Sequence, residues 1–349
     1  MGEEGQRRSP LHDAQVAAGG EPYWEDGWPW FLHFNGDATG EYQAIRSGTG
    51  LWDLFSAIKY EVTGPDATRL IQRRFTNDLS GVSDGGVRYG AFVNADGNMV
   101  DDGNVYRHAE DRYWVIINTA GLADWFRETA DGLDATVADR TEQLPLISAT
   151  GPGSRDLVQT LTDHDLSSLR YFRFHPTPVS VGGVRATILR TGFSGELGFE
   201  MVTDPSSAPA LWQALIEAGG RPFGLEAIDI ARVEAGLVII GIDYQVGATS
   251  PWDLSLDRMI KTGTECVGAD ALASYGAAPP KRFMTLRIEG DSAPEAGAAV
   301  TKDGRDVGTV TSPTTSPSFG AIALAILERG VATEGAKVEV GGSVATVAS

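Results

Sequence analysis

Residues 58–71 read IKYEVTGPDATRLI, and residues 146–161 read LISATGPGSRDLVQTL. In both stretches a run typical of a β-strand stops at Thr-Gly-Pro, and apolar residues at helical spacing follow. Proline is favoured just inside a helix start because its fixed φ suits the first turn and its missing N–H is not needed there. The sequence therefore predicts a strand–turn–helix unit that occurs twice, which indicates an internal structural repeat.

A segment of short strands ends the chain. Asp303-Gly304 is typical of a tight hairpin turn, because both residue types accept positive φ. The predicted strands are Arg282 to Ile288, Ala299 to Thr301, Val307 to Val310 and Ala321 to Leu327. Their spacing predicts a C-terminal all-β unit, joined to the rest by a linker at Ser274 to Lys281. At the other end, the first twenty residues are predicted to fray before order begins near Trp24.

Composition excludes several classes of protein. A length of 349 residues predicts two or three domains, and the net charge of −19 makes nucleic acid and anionic lipid poor partners. The longest apolar stretch, Ala321 to Leu327, is too short to span a membrane. Met1 to Pro10 lacks the apolar core of a secretion signal. We therefore expect a cytoplasmic protein with no nucleic-acid or membrane partner.

Common catalytic motifs are absent from the sequence. The one cysteine, Cys266, cannot form an internal disulfide, and the five histidines lack metal-ligand spacing, so no metal site is predicted. No phosphate-binding loop or serine nucleophile motif occurs. Asp101-Asp102 is more informative, since neighbours on a strand face opposite ways. One carboxylate is expected to point inward, at a cost that suggests function, while the other stays solvated; the pair is also typical of a solvated turn.

Collinear motifs along the chain carry a resemblance to a known family. They are Gly50-Leu51-Trp52-Asp53, Val62 to Ala67, Thr76-Asn77-Asp78, Asp101 to Tyr106, Arg190 to Glu200, Gly224 to Ala227, Arg232 to Gly236, Gly308 to Ser312 and Ser316-Pro317. In this order they resemble the tetrahydrofolate-dependent aminomethyltransferase family. That family includes the glycine cleavage system T-protein and folate-dependent demethylases. The resemblance implies an enzyme of this class that uses tetrahydrofolate.

The resemblance also implies the architecture. We expect an α+β protein, a three-domain cloverleaf of the T-protein type with mixed and antiparallel sheets and a C-terminal β-barrel domain. The implied first domain is discontinuous, residues 1–57 plus 141–265. The implied second domain, residues 58–140, is inserted in the first and lines the folate cleft. The barrel is expected over residues 280–349.

Site residues follow from the resemblance position by position. Asp102 matches the family's catalytic aspartate, which steers and polarises the folate nitrogens; a carboxylate suits a nitrogen that gains positive charge. Glu200 matches a glutamate that accepts hydrogen bonds from the pterin amino group and ring N–H. The remaining matched positions line the folate cleft: Tyr89, Tyr106, Asn118, Tyr171 and Phe193, the last standing where the family often has tyrosine.

Three departures from the T-protein pattern bear on the reaction. Ser56 replaces a histidine, Ile228 replaces an arginine, and Ile240 to Tyr244 replaces the usual L-Y-G-x-D motif. Losing a guanidinium removes a charged contact. These changes favour a demethylase that moves a methyl group from a small methoxy, N-methyl or sulfonium donor to tetrahydrofolate. For a methoxyarene donor, Tyr244 is a candidate general acid; its alternative role is packing at the end of a helix.

Two alternatives stay open. The first is a T-protein aminomethyltransferase, which needs a lipoyl carrier protein as partner. The second is a non-catalytic folate-binding protein of the iron–sulfur maintenance type. The K-G-C-Y-x-G-Q signature of that group is missing from the corresponding stretch, Lys261 to Gly268.

Overall fold

The computed structural model describes residues 7–25, 27–261 and 263–348. The chain forms two compact units. The first comprises the described residues within Met1–Thr68, together with Gly81–Arg88 and Asn104–Ala231. The second comprises Arg69–Ser80, Tyr89–Gly103 and the described residues within Arg232–Ser349. The three-domain boundaries expected from the sequence stay a prediction.

The first unit is built on a six-stranded sheet with the order β10-β11-β12-β9-β3-β13. Its strands are β3 (Gly50–Asp53), β9 (Leu146–Thr150), β10 (Val179–Val181), β11 (Val184–Leu189), β12 (Gly198–Val202) and β13 (Arg221–Pro222). The short β13 pairs with β3 in parallel, whereas the other pairings are antiparallel, so the sheet is mixed. A separate hairpin is formed by β1 (Gly20–Glu25) and β2 (Trp28–Phe34).

Short helices accompany the strands of the first unit. They are α1 (His12–Ala17), α2 (Ala38–Ser47), α4 (Ala123–Arg127), α5 (Ser154–Gln159), α6 (Ala208–Glu217) and α7 (Leu225–Glu234), the last ending in the second unit. Two apolar clusters form the core of the first unit, one around Phe199, Leu211 and Trp212 and one around Trp52 and Phe223. A 3₁₀ turn lies at Thr141–Gln143.

The two Thr-Gly-Pro turns have the same backbone geometry. Strand β4 (Ile58–Thr63) leads through Gly64 into α3 (Ala67–Gln72), and β9 leads through Gly151 into α5. Gly64 has φ of 121° and Gly151 has φ of 122°, a region that side chains disfavour. A Cβ on Gly151 would lie 2.5 Å from the carbonyl oxygen of Gly48. The repeat predicted from the sequence is therefore present as a pair of matching turns that only glycine fits.

A second sheet contains residues of both units. It has the order β5-β6-β7-β4-β8, with β5 (Val87–Val93), β6 (Met99–Ala109), β7 (Arg112–Ile117) and β8 (Thr136–Asp139). Strand β4 pairs antiparallel with both β7 and β8. The unit boundary falls within β5 and within β6, which places Tyr89 and Asp102 in the second unit and Tyr106 in the first.

The second unit ends in a closed barrel with the order β14-β17-β16-β15-β18-β19. The strands are β14 (Lys281–Ile288), β15 (Ala299–Lys302), β16 (Arg305–Ser316), β17 (Gly320–Glu328), β18 (Lys337–Val340) and β19 (Ser343–Ala348). Asp303 and Gly304 close the predicted hairpin with φ of 53° and 74°. Closure leaves no strand edge unpaired around the barrel, and Leu286, Val300 and Leu327 lie in its apolar core.

Two local expectations were wrong. Within the first twenty residues, those from 7 onward include α1, whose His12 and Gln15 are buried, and β1 begins at Gly20; residues 1–6 lie outside the described part. The predicted linker is partly helical, because α8 (Ala269–Gly276) ends inside it, and a 3₁₀ turn occurs earlier at Asp257–Met259. No helix of the described residues is long and apolar enough to cross a membrane.

Candidate active site

The two adjacent aspartates of β6 are both buried. Asp101 is fully buried and Asp102 is 7% exposed. The expectation that one of them stays solvated was therefore wrong. The backbone N–H of Asp102 donates to Oδ1 of Asp101 at 2.7 Å, so Asp101 is partly satisfied by the strand that carries it. Both carboxylates of the pair therefore lie inside the second unit.

Two tyrosine hydroxyls hold the Asp102 carboxylate, one on each oxygen. Tyr89 of β5 donates to Oδ2 at 2.9 Å. Tyr244, from the segment that follows α7, donates to Oδ1 at 2.6 Å and is itself buried. The structure thus brings together the predicted residues Tyr89 and Asp102. The helix-end packing role that the sequence suggested for Tyr244 is incomplete, since its hydroxyl contacts the candidate catalytic group.

Burial and neighbouring charge set the protonation of Asp102. Burial, followed by the charge of Asp101, raises the pKa of Asp102 to about 7, and the hydrogen bonds from Tyr244 and Tyr89 oppose this rise. The same environment raises the pKa of both phenols, so both remain donors at neutral pH. Near pH 7 Asp102 therefore exists in both protonation states, which suits a group that takes up or releases a proton during a reaction.

A buried ion pair holds the segment that carries Tyr244. Arg232, near the end of α7, donates to Oδ2 of Asp243 at 2.7 Å, and the two side chains are 1% and 0% exposed. Oδ1 of Asp243 accepts from Thr311 at 2.5 Å and from Ser312 at 2.6 Å, both on barrel strand β16. The backbone N–H of Ile239 completes the set at 2.8 Å. Buried charges are stable only when paired and hydrogen-bonded in this way.

Glu200 forms a second buried cluster, in the first unit. It lies on β12 and accepts a hydrogen bond on Oε2 from the hydroxyl of Thr191. Because the single Thr191 proton points to Glu200, the 3.2 Å contact between Tyr106 and Thr191 has Tyr106 as its donor. Across residues 7–25, 27–261 and 263–348, no other side chain donates to Glu200. Burial raises the pKa of Glu200, against the smaller effects of Thr191 and the Lys59 charge.

Lys59 is a buried cation that the sequence gave no reason to single out. It lies on β4, and its ammonium group donates to the carbonyl oxygens of Leu54 and Phe55, both at 2.9 Å. Burial lowers the pKa of Lys59 to about 7, although nearby Asp53, Asp139 and Glu200 favour its charged form. A single lysine in a strand normally indicates a solvent-facing position. Only tertiary packing places it inside.

The other predicted residues differ in their surroundings. Tyr171 is 62% exposed and has the Arg190 guanidinium 5.4 Å from its ring centre. Burial raises the pKa of Tyr171, the Arg190 guanidinium opposes this rise, and the Glu200 charge adds a smaller rise. Phe193 is half-buried against the apolar core of the first unit. Asn118 is exposed.

Two of the three positions that depart from the T-protein pattern are packed inside the first unit. Ile228 is buried in its apolar core. Ser56 is also buried, and its hydroxyl donates to the carbonyl oxygen of Pro29 at 2.7 Å. Within the described residues, no group of three or more His, Cys, Asp or Glu side chains is placed to hold a metal ion.

Two family models match the chain. The GCVT N-terminal domain matches residues 11–264, and the glycine cleavage T-protein C-terminal barrel domain matches residues 281–347. A protein of Streptomyces avermitilis named aminomethyltransferase is 38% identical over 334 residues, which are 91% of this chain and 89% of that protein. One of Thermotoga maritima with the same name is 30% identical over 93% of this chain and 90% of its own length.

The fold matches a solved structure over nearly its whole length. The crystal structure of glycine cleavage system aminomethyltransferase T from Bartonella henselae superposes with a TM-score of 0.88 at 25% identity. The match covers 97% of this chain and 96% of the other. The α+β fold of this type, with its mixed sheets and C-terminal barrel, is thereby confirmed.

Proposed function

Because the chain belongs to the glycine cleavage T-protein family, we propose that it is a tetrahydrofolate-dependent aminomethyltransferase. In this proposal it takes an aminomethyl group from a lipoylated carrier protein and transfers the carbon to tetrahydrofolate, with release of ammonia. The motif-based resemblance and the assignment to an enzyme family are confirmed. The demethylase expected from the sequence lacks support, since the relatives above are named aminomethyltransferase.

The burial of two residues that differ from the T-protein pattern, Ile228 and Ser56, supports the aminomethyltransferase over the demethylase. The demethylase hypothesis rested in part on a missing arginine and a missing histidine. Ile228 packs in an apolar core, and Ser56 is satisfied by a backbone carbonyl. Both substitutions thus have a local packing role. They do not by themselves call for a different one-carbon donor.

The observation that carries the proposal is the Asp102 carboxylate with one phenol on each oxygen. Folate nitrogens become more positive as they attack the one-carbon unit, and a buried carboxylate stabilises that charge strongly because little water screens it. A carboxylate with a pKa of about 7 can also take up a proton at neutral pH. In this proposal Asp102 orients and polarises the folate, and Tyr89 lies beside it.

The Glu200 cluster fits the edge of a pterin ring. A pterin presents an amino group and a ring N–H side by side, and a carboxylate accepts both. Thr191 already engages one Glu200 oxygen and so fixes the plane of the carboxylate. The exposed ring of Tyr171 offers an aromatic face in the same electrostatic neighbourhood. We assign Glu200 to pterin binding, with Tyr106, Asn118, Tyr171 and Phe193 as further folate contacts.

The test compares two classes of donor under anaerobic conditions. In one arm the protein receives tetrahydrofolate and a lipoylated carrier protein loaded with the aminomethyl group. In the other it receives tetrahydrofolate and methoxy, N-methyl or sulfonium compounds without carrier. Ammonia and 5,10-methylenetetrahydrofolate formed only with the carrier support the proposal. Formation of 5-methyltetrahydrofolate from a small donor without carrier would replace it by the demethylase.

Two variants link the activity to the assigned residue. Asp102→Asn should lower turnover by about 100-fold or more, the usual effect of removing a group that stabilises transition-state charge, while calorimetry still detects tetrahydrofolate binding. Asp253→Asn is the matched control, because Asp253 is also buried and accepts from a tyrosine, Tyr275. Equal activity of the two variants would remove Asp102 from the reaction. Folate binding without transfer from any donor would favour the non-catalytic alternative.

A further inference from the structure

The carboxylate of Asp102 is held by a tyrosine that neither motif nor family position assigned. Tyr244 donates to Oδ1 at 2.6 Å, the shorter of the two contacts that the phenols make with this carboxylate. Because Tyr89 donates to Oδ2, both carboxylate oxygens accept a hydrogen bond from a tyrosine, and the carboxylate cannot rotate without breaking one of them. We propose that Tyr244 is a positioning residue that orients Asp102 and stabilises its charged form. The role in turnover rests on the proposed function.

The need for such a residue follows from the surroundings of Asp102. The carboxylate is buried beside Asp101, and Asp243 adds a further negative charge. Both burial and like charge favour the neutral acid. The two phenols are the hydroxyl donors that oppose them. Without Tyr244, Oδ1 would lose a hydrogen bond inside the protein, and the charged form would become less stable.

The Tyr244 backbone is fixed by the neighbouring residue. Asp243 is fully enclosed by Arg232, Thr311 and Ser312, which bind it from α7 and from barrel strand β16. Within this segment, the backbone N–H of Gly241 donates to the carbonyl oxygen of Tyr244 at 2.9 Å. The backbone N–H of Asp243 donates to the carbonyl oxygen of Ile239 at 2.8 Å. Preorganisation of this kind lets one hydroxyl keep its direction through a reaction. The ion pair therefore acts on Asp102 through Tyr244.

The direct test is the titration of Asp102 in the full chain. The protein is labelled with ¹³C at the aspartate side-chain carboxyl, and the Asp102 signal is assigned by its loss in Asp102→Asn. Tyr244→Phe should raise the Asp102 midpoint by about one to two pH units, the effect of losing one hydrogen bond to a charged group. Tyr89→Phe should also raise it, which keeps the test valid if one variant folds poorly. Tyr275→Phe, which removes the same hydroxyl from the Asp253 pair, should leave it unchanged.

Kinetics give the second readout. If charged Asp102 is the active form, a midpoint one unit higher leaves about one tenth of it ionised at pH 7, so Tyr244→Phe should lose about fivefold in kcat. The loss should recover near pH 9, with little change in KM for tetrahydrofolate. A purely structural role would not move the titration or the acid limb of the pH profile.

The outcomes separate this proposal from the function. An unchanged Asp102 midpoint in Tyr244→Phe overturns the role of Tyr244, whatever the wild-type protein does. A raised midpoint that moves together with the pH profile supports it. A raised midpoint in a protein that transfers no aminomethyl group keeps Tyr244 as the residue that holds Asp102 and removes the proposed function instead.

Discussion

Replacing the candidate catalytic carboxylate by an amide should make the stability of the protein, relative to wild type, increase as the pH rises through neutrality. The folded state raises the pKa of Asp102 from 3.8 to about 7. Between these values the folded chain keeps a proton that the unfolded chain has lost. The stabilisation of the folded state by this extra proton is therefore fully present below pH 4 and is lost as the pH rises through 7. At 1.36 kcal/mol per unit of pKa, the full loss is at most about 4 kcal/mol.

The pH dependence gives a quantity that can be measured without activity. From the same pKa difference, wild-type protein should lose about 2.5 kcal/mol from this group between pH 5 and pH 8. Asp102→Asn has no charge to bury, so its free energy of unfolding relative to wild type should rise by that amount. Urea unfolding of both proteins at pH 5, 6, 7 and 8 measures the difference. Asp291→Asn serves as the control, because it changes an exposed aspartate of the same unit.

The result that refutes this reasoning is a flat difference. If the free energies of unfolding of Asp102→Asn and wild type stay parallel between pH 5 and pH 8, Asp102 titrates in its ordinary range. The two phenols would then fully offset the burial and the Asp101 charge.

Three further changes test the framework around the clusters. Arg232→Met should cost about 3–5 kcal/mol in urea unfolding because it leaves Asp243 buried without its cation, whereas Arg305→Met, at an exposed pair, should cost less than about 1 kcal/mol. Gly151→Ala should cost about 3 kcal/mol, since its φ is 122° and its Cβ would meet a backbone oxygen. For Lys59, the pKa lowered from 10.5 to about 7 means that the unfolded chain binds the extra proton. Wild-type stability relative to Lys59→Met should therefore rise between pH 7 and pH 9.5, and an equal change in both proteins would contradict the burial of the ammonium group.

Local chemistry explains which parts of the fold were predictable from sequence. The Thr-Gly-Pro turns and the Asp303-Gly304 hairpin depend on the φ preferences of single residues, so a few letters were sufficient. The order of strands in the sheets and the pairing of β14 with β19 depend on contacts between distant residues, which no local pattern contains. The helix α1 was missed for the same reason, because its buried face is defined by the rest of the first unit.

The candidate site, too, was only partly predictable from the sequence. Asp102 and Glu200 could be named because family motifs surround them. The hydrogen bond from Tyr244 to Asp102 could not be predicted, since the two residues are 142 positions apart and the donor role of Tyr244 arises only from folding. One of the two adjacent aspartates was expected in solvent because strand alternation predicts only the direction of a side chain, not the structure that covers it. Lys59 was passed over because a lone lysine carries no periodic signal.

Two sets of buried charged groups in the second unit have opposite effects on its stability. At neutral pH, Asp102 lowers the stability of the folded state, since burial favours the neutral acid whereas the same side chain in water is ionised. The Arg232–Asp243 pair, by contrast, is hydrogen-bonded on both sides, and the loss of either partner would destabilise the fold. Sites that hold a reactive group in an unfavourable state are retained only where neighbouring structure over-determines their geometry. A barrel closed on itself, bonded through Thr311 and Ser312 to the segment that carries Tyr244, supplies that constraint for Asp102.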